Sequence, residues 1–243
     1  MITNQLQELS LKGMLQAYEQ QSINSSYSQM TFDERLDLLL TEEINFKKNA
    51  KIKRLLKNAK LRYENASFEL IDFKATRQID RTLVNELGTL NWVYNNQNII
   101  ITGATGTGKS WLACAFVDKA CRLGHSALYI TAKNLFENIN QAVADGSIRK
   151  LLNQLSRFKI LVIDDWCLGG IDNRFCPHLL EIIDKRSIDG SLVLTTQYPI
   201  PQWFESFEDE TIADAIIDRI VHNSHDISLK GPSMRKGRAK AKG

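Results

Sequence analysis

Ile99-Ile100-Ile101-Thr102-Gly103-Ala104-Thr105-Gly106-Thr107-Gly108-Lys109-Ser110 is an apolar strand that runs into a glycine-rich loop and then a helix. It matches the pattern G-x-x-x-x-G-K-[ST], with Gly103, Gly108, Lys109 and Ser110 at the fixed positions. The residue types follow from phosphate chemistry. Glycines let backbone N–H groups turn inward around phosphate oxygens with no Cβ in the way. The helix opening near Lys109 adds its positive end. Lys109 offers a cation to the β- and γ-phosphates, and the Ser110 hydroxyl is a Mg²⁺ ligand. The expected cradle is Gly103, Ala104, Thr105, Gly106, Thr107, Gly108, Lys109, Ser110 and Trp111, and Trp111-Leu112-Ala113-Cys114-Ala115-Phe116 continues as an apolar helix.

A phosphate loop needs a second site for the metal. Ile160-Leu161-Val162-Ile163-Asp164-Asp165 is an apolar strand that ends in two carboxylates. Asp164 is expected to orient the Mg²⁺ shell through water and Asp165 to polarise the attacking water. The competing reading is two acids that merely end a strand; an intact loop upstream argues against it. The sequence has no guanine-reading N-K-x-D motif, so ATP is favoured over GTP. A fourth apolar strand ends Thr195-Thr196-Gln197, and in a parallel sheet ligands sit at the carboxyl ends of strands. Gln197 is therefore placed to help hold the water. Arg219 and Arg235 lie beyond it. Either can neutralise charge developing on a γ-phosphate. From spacing alone, an ordinary surface ion pair is the better explanation of each.

Composition narrows the class. With 243 residues and 43% hydrophobic content, the chain has room for one real core plus an appendage. Net charge is +3, too small by itself to name a partner. Cys114, Cys121, Cys167 and Cys176 have no C-x-x-C spacing, and free thiols in a reducing compartment are expected. The opening residues lack the charged and apolar regions of a secretion signal, and no apolar run is long enough to span a membrane. A cytoplasmic protein is expected.

Residues 1–66 are expected to be a helical N-terminal domain for oligomerisation or DNA contact. Leu6, Leu9, Leu11, Met14, Leu15 and Tyr18 recur at helical spacing, and a polar linker covers Ser22 to Gln29. Thr31-Phe32-Asp33-Glu34 is a capping-box signal. Phe32, Leu36, Leu39, Leu40, Ile44 and Phe46 then form an apolar stripe. Lys47, Lys48, Lys51, Lys53, Arg54, Lys57, Lys60 and Arg62 follow within sixteen residues, with no acid between Glu43 and Glu64. A solvated helix face is the bland reading. The absence of acidic partners inside the run sets nucleic-acid contact level with that reading, with Lys47, Lys51, Arg54 and Lys57 as candidates. Residues 67–98 form a connector, whose stretch Ser67 to Phe73 is expected to be extended. From 99 to 235 strands and helices alternate, which argues for a parallel sheet with helices on both faces. Residues 236–243 form a basic tail.

The order of these motifs resembles the IstB-like transposition helper ATPases, AAA+ proteins close to the DnaC-type helicase loaders. The likeness runs from Leu11-Lys12-Gly13-Met14 through Leu39-Leu40-Thr41-Glu42-Glu43, Leu56-Lys57-Asn58-Ala59-Lys60 and Phe68-Glu69-Leu70-Ile71-Asp72-Phe73 to the phosphate loop. It continues in Leu194-Thr195-Thr196-Gln197, Pro201-Gln202-Trp203, Ala215-Ile216-Ile217-Asp218-Arg219-Ile220 and Gly231-Pro232-Ser233-Met234-Arg235. The resemblance implies an AAA+ ATPase that self-associates with ATP, binds duplex DNA with little sequence preference and stimulates a partner transposase. It implies that Arg219 reaches a neighbouring subunit's site, that Arg235 is the second-sensor arginine and that Gln197 is the first sensor. The family usually has glutamate at the position of Asp165 and asparagine at that of Gln197. Aspartate is one methylene shorter, so slow turnover is expected. The alternatives are a helicase loader that grips a helicase with its N-terminal helices, and a nucleotide-dependent regulator with no DNA role.

Overall fold

The strand before the glycine loop lies inside a five-stranded sheet, with a neighbour on each side. In this computed structural model, which describes residues 1–73 and 78–234, the strands are β1 (Asn98–Gly103), β2 (Ala127–Thr131), β3 (Ile160–Trp166), β4 (Ser191–Thr196) and β5 (Ser224–Leu229). Their order is β2-β3-β4-β1-β5, and every pairing is parallel. The helices are α1 (Ile2–Glu8), α2 (Lys12–Ile23), α3 (Phe32–Ala59), α4 (Arg81–Leu87), α5 (Asn91–Tyr94), α6 (Lys109–Arg122), α7 (Ala132–Ala144), α8 (Ile148–Ser156), α9 (Cys176–Asp189) and α10 (Glu210–Val221). The expected α/β sheet with flanking helices is present. The expected extended stretch 67–73 instead contains a 3₁₀ turn at Phe68–Leu70. Its Phe68 ring meets the edge of Phe116 on α6, with centroids 5.7 Å apart.

Strand alternation sorts side chains into two cores. On β3, Ile160 and Val162 face the α6 side with Leu112, Ala113 and Phe116. Leu161 and Ile163 face the other side with Leu135, Ile139, Leu179, Ile183 and Ile216. β1 and β4 alternate in the same way, which is why their runs are apolar throughout.

The chain divides into two compact units, Met1–Arg54 and Leu55–Gly243. The division falls within α3, earlier than the boundary expected at residue 66. The reason is packing: Ala59 and Ala66 are buried in the α6-side core, with Leu55, Leu56, Leu61 and Tyr63 against it.

In the first unit α2 and α3 run antiparallel, since Gly13 meets Glu43 and Gln21 meets Arg35. Gly13, Ala17 and Gln21 recur every four residues and are the buried face of α2. A Cβ on Gly13 would collide with the backbone of Glu42 and Glu43, so the close approach requires glycine. Glu43 Oε2 accepts from the N–H groups of Gly13 (2.8 Å) and Met14 (3.1 Å), at the N-terminus of α2. The capping box forms as expected. Thr31 N donates to Glu34 Oε2 at 2.7 Å, and Glu34 N donates back to Thr31 Oγ1 at 3.3 Å. The expected apolar stripe of α3 is largely uncovered: Phe32, Leu40 and Ile44 are exposed. The α2 face that meets α3 is small and polar and does not reach across that stripe.

Arg186 ties the lower end of the sheet together, where β3 and β4 begin. Its buried guanidinium donates to the carbonyls of Ser191 (3.1 Å), Leu155 (3.3 Å), Phe158 (2.8 Å) and Lys159 (2.8 Å). It satisfies the end of α8, where helix carbonyls lack intrahelical partners. Burial pushes its pKa down to about 10. Arg186→Met fills the same space but leaves those carbonyls without a donor. It is expected to lower the free energy of unfolding by about 3 kcal/mol or more, from a penalty of ~1–3 kcal/mol per buried unpaired group. Arg186→Lys should recover only part, because an ammonium does not reproduce the planar fork. Urea titration of the two variants checks the order.

Candidate active site

The loop from Gly103 to Gly108 closes over the N-terminus of α6. Gly108, at φ 100°, is the residue before the helix, and Gly106, at φ 85°, turns the loop. Both angles lie where a side chain is strained. At Gly106 a side chain would also strike Ser233, and Met234 N donates to Gly106 O at 2.8 Å. The segment just before Arg235 therefore lies on the loop, while Arg235 itself and the tail at 236–243 fall outside the described residues.

Lys109 is buried, and its ammonium donates to the carbonyls of Gly103 (2.7 Å) and Ala104 (3.1 Å). The cation is thus held inside the loop. Thr107 Oγ1 donates to Ala104 O at 2.8 Å and braces the turn. Ser110 stands in the first turn of α6. Trp111 is half-buried, and its side chain packs against the α6-side core. Beyond β4, Gln197 Oε1 accepts from the Thr105 hydroxyl at 2.7 Å, so the candidate water-holding residue touches the loop.

Asp164 follows Ile160 and Val162 on the α6 face of β3 and is fully buried. Oδ1 accepts from the Thr195 hydroxyl on β4, and Oδ2 accepts from the Tyr129 hydroxyl on β2, both in short hydrogen bonds. The Arg62 guanidinium lies 3.4 Å from Oδ2. Burial pushes the Tyr129 hydroxyl far up in pKa, and the Asp164 charge adds to the rise. The hydrogen bond with Tyr129 raises Arg62, against the pull of its own partial burial, and the Asp164 charge adds to it. Burial lifts the Cys114 thiol to about 11, so it is an inert core thiol.

Asp165 occupies a β-bulge. The β3–β4 register shifts between Ile163 and Trp166, and Asp165 has φ 59°. Bulges re-aim side chains beside functional sites. Asp165 N donates to Thr195 Oγ1 at 3.2 Å, so one threonine touches both acidic residues.

Loop, Lys109, Asp164, Thr195 and Gln197 thus converge at the carboxyl ends of β1, β3 and β4. Backbone amides, an ammonium, a hydroxyl, the buried Asp164 carboxylate and the half-buried Asp165 beside it form a donor set suited to a Mg²⁺–nucleotide. Among the described residues there is no group of three or more His, Cys, Asp or Glu side chains that could hold a metal ion.

Arg219 is elsewhere. It lies in the last turn of α10, just before β5, and its side chain pairs with Asp184 on α9 at 2.5 Å. Ser224 at the start of β5 pairs with Asn98, while Leu229 pairs with Gly103. The strand rises about 16 Å over that distance, so Arg219 sits near the opposite end of the sheet from the loop. Of the basic candidates on α3, all four are exposed, but Lys47 pairs with Glu43 at 3.2 Å. That pair reaches just outside the acid-free run. Sequence reasoning gave no site role to Arg62 or Tyr129: Arg62 stood only as one cation in a basic run. Strand alternation carried the signal for Tyr129, which shares a face with Asp164. Nothing local marked Arg62.

Among the described residues no helix is long and apolar enough to cross a membrane. Residues 4–242 match the family model described as IstB-like ATP binding protein. An insertion sequence ATP-binding protein of Sinorhizobium fredii is 39% identical over 238 residues, covering 98% of this chain and 96% of that one. The IS1162 ATP-binding protein of Pseudomonas fluorescens is 39% identical over 196 residues, 81% of this chain and 85% of that one. Among solved structures, DnaI superposes with a TM-score of 0.58 at 17% identity, over 70% of this chain and 90% of that one. The DnaC helicase loader gives 0.56 at 19%, over 70% and 99%. The replication initiator DnaA bound to AMPPCP and single-stranded DNA gives 0.58 at 18%, over 73% and 54%. These likenesses establish the AAA+ P-loop fold.

The geometry separates two tasks. Lys109→Ala is expected to weaken ATP affinity about tenfold to a hundredfold, the worth of one charge-assisted contact. Asp165→Asn should leave affinity unchanged and lower turnover. Calorimetry beside a phosphate-release assay checks both; equal turnover in Asp165→Asn and wild type would remove Asp165 from water activation.

Proposed function

The chain belongs to the IstB-like ATP-binding protein family, and on that premise we propose that it is an ATP-dependent assembly factor for DNA transposition. It self-associates on duplex DNA and stimulates a partner transposase. The observation that carries this reading is the separation of Arg219 from the phosphate loop. An arginine that far from its own loop serves a nucleotide only across an interface with a second copy.

In that assembly the loop amides and Lys109 bind the phosphates. Ser110 and, through water, Asp164 are the residues that would hold Mg²⁺. The chemistry that Mg²⁺ supplies when bound is neutralisation of charge on the β- and γ-phosphate oxygens. Asp165 polarises the attacking water and Gln197 orients it. Arg219 of one copy, released from Asp184, meets the γ-phosphate held by the next. Arg235 acts as a second sensor. Exposed Lys51, Arg54 and Lys57, together with Lys47, contact the phosphates of the duplex. The naming of relatives after insertion sequences favours this reading over a helicase loader, to which the likeness is one of fold.

Two experiments test the proposal. Mixing Lys109→Ala with Arg219→Ala pairs some intact loops with intact arginines. An arginine acting across an interface contributes roughly 10³–10⁵ in rate, so ATPase activity is expected to reappear over a near-zero background. No recovery in mixtures that demonstrably co-assemble would make Arg219 a structural residue. Separately, duplex binding is expected to weaken steeply with salt. Replacing Lys47, Lys51, Arg54 and Lys57 by alanine should reduce the slope of log affinity against log salt by about 3 to 4 units, at ~0.9 per phosphate contact. An unchanged slope, or tighter binding to single strands than to duplex, would favour the loader reading.

A further inference from the structure

Among the described residues Asp164 has three hydrogen-bond partners, and they are not equivalent. Tyr129 and Thr195 sit on β2 and β4, the strands that flank β3, and both are buried. Their hydroxyls are fixed by the sheet. Arg62 comes from an irregular segment shortly after the end of α3. Its side chain is 43% exposed while that of Asp164 is 0% exposed, and their separation of 3.4 Å is long for a charge-assisted bond. Arg62 is therefore the one partner that can leave Asp164 without disturbing the sheet.

We propose that Arg62 is a positioning residue of the nucleotide site, whose guanidinium competes with hydrated Mg²⁺ for Asp164 Oδ2. This rests on Asp164 serving the metal, as set out above. The physical need is clear. A buried carboxylate without a compensating partner is costly. Arg62 supplies the compensating charge, while the two hydroxyls hold the carboxylate in one orientation. A carboxylate has about four lone-pair positions. Tyr129 and Arg62 converge on Oδ2, and Thr195 takes Oδ1. A metal-bound water that seeks Oδ2 meets Arg62 there, whereas the hydroxyls stay. The segment is anchored for such a role, because Ala59 and Ala66 on either side of Arg62 are buried against the α6-side core. Only the side chain has to swing, and its guanidinium already lies over the adjacent Tyr63 ring, 5.7 Å from the centroid, while paired with Asp164.

The test is calorimetry on the full chain with a non-hydrolysable ATP analogue, over a range of Mg²⁺ concentrations and in EDTA. Arg62→Gln is expected to lower the Mg²⁺ concentration for half-maximal tight binding about fivefold, the worth of one partly exposed ion pair. Affinity in EDTA should not change. Arg62→Lys, which keeps a cation, should behave as wild type. In Asp164→Asn the midpoint should rise, and adding Arg62→Gln should then shift nothing. An unchanged or raised midpoint in Arg62→Gln, or equal losses with and without Mg²⁺, overturns the proposal while leaving Asp164 in place. A wild-type midpoint in Asp164→Asn instead overturns the assignment of Asp164 to the metal.

Discussion

A carboxylate with no contact with water cannot stand alone in a protein interior, and Asp164 is such a carboxylate. The sheet order answers that need. β3 has β2 on one side and β4 on the other, and each contributes a hydroxyl from the same face. β4 in turn pairs with β1, in register from Ile99↔Val193 to Thr102↔Thr196. The strand that satisfies the acid is therefore also the strand that stands beside the phosphate loop. Gln197, one residue past β4, meets Thr105 because that register brings it there. Acid, hydroxyl, amide side chain and loop are held in one row by backbone pairing.

Local pattern made the row legible. The glycine loop, the two acids and the Thr-Thr-Gln end are each contiguous, and α6 spans Lys109–Arg122, as its sequence suggests. Strand ends were less legible. β3 runs past the two acids to Trp166, because pairing with β4 resumes beyond the bulge. In the first unit the helices were legible but their packing was not. Periodicity located the apolar residues of α3, but the helix that packs there presents glycine, alanine and glutamine. Close backbone approach, and not the apolar stripe, sets that contact. Arg62 was illegible because the contact that defines it spans 102 residues of chain and involves no motif.

The lower end of the sheet has its own logic. Arg186 satisfies carbonyls from the end of α8 and the starts of β3 and β4, and it rises from α9. Asp184, the partner of Arg219, is on the same helix. The arginine proposed to face a second copy is thus mounted on a rigid end, while Arg62 and the segment at Ser233 and Met234 surround the opposite, catalytic end.

Asp165 lies in the left-handed region at φ 59°, a conformation that aspartate and asparagine visit more readily than longer side chains. Compared by side-chain length alone, aspartate at this position looks one methylene deficient. Handedness changes the comparison. A left-handed residue projects its Cβ in a direction that a right-handed strand residue cannot reach, so the carboxylate is aimed by the main chain. A glutamate here would leave from the same Cβ, but in a backbone conformation that the shorter aspartate adopts more readily. Reach here is encoded in chirality, and the short acid and the bulge form a matched pair.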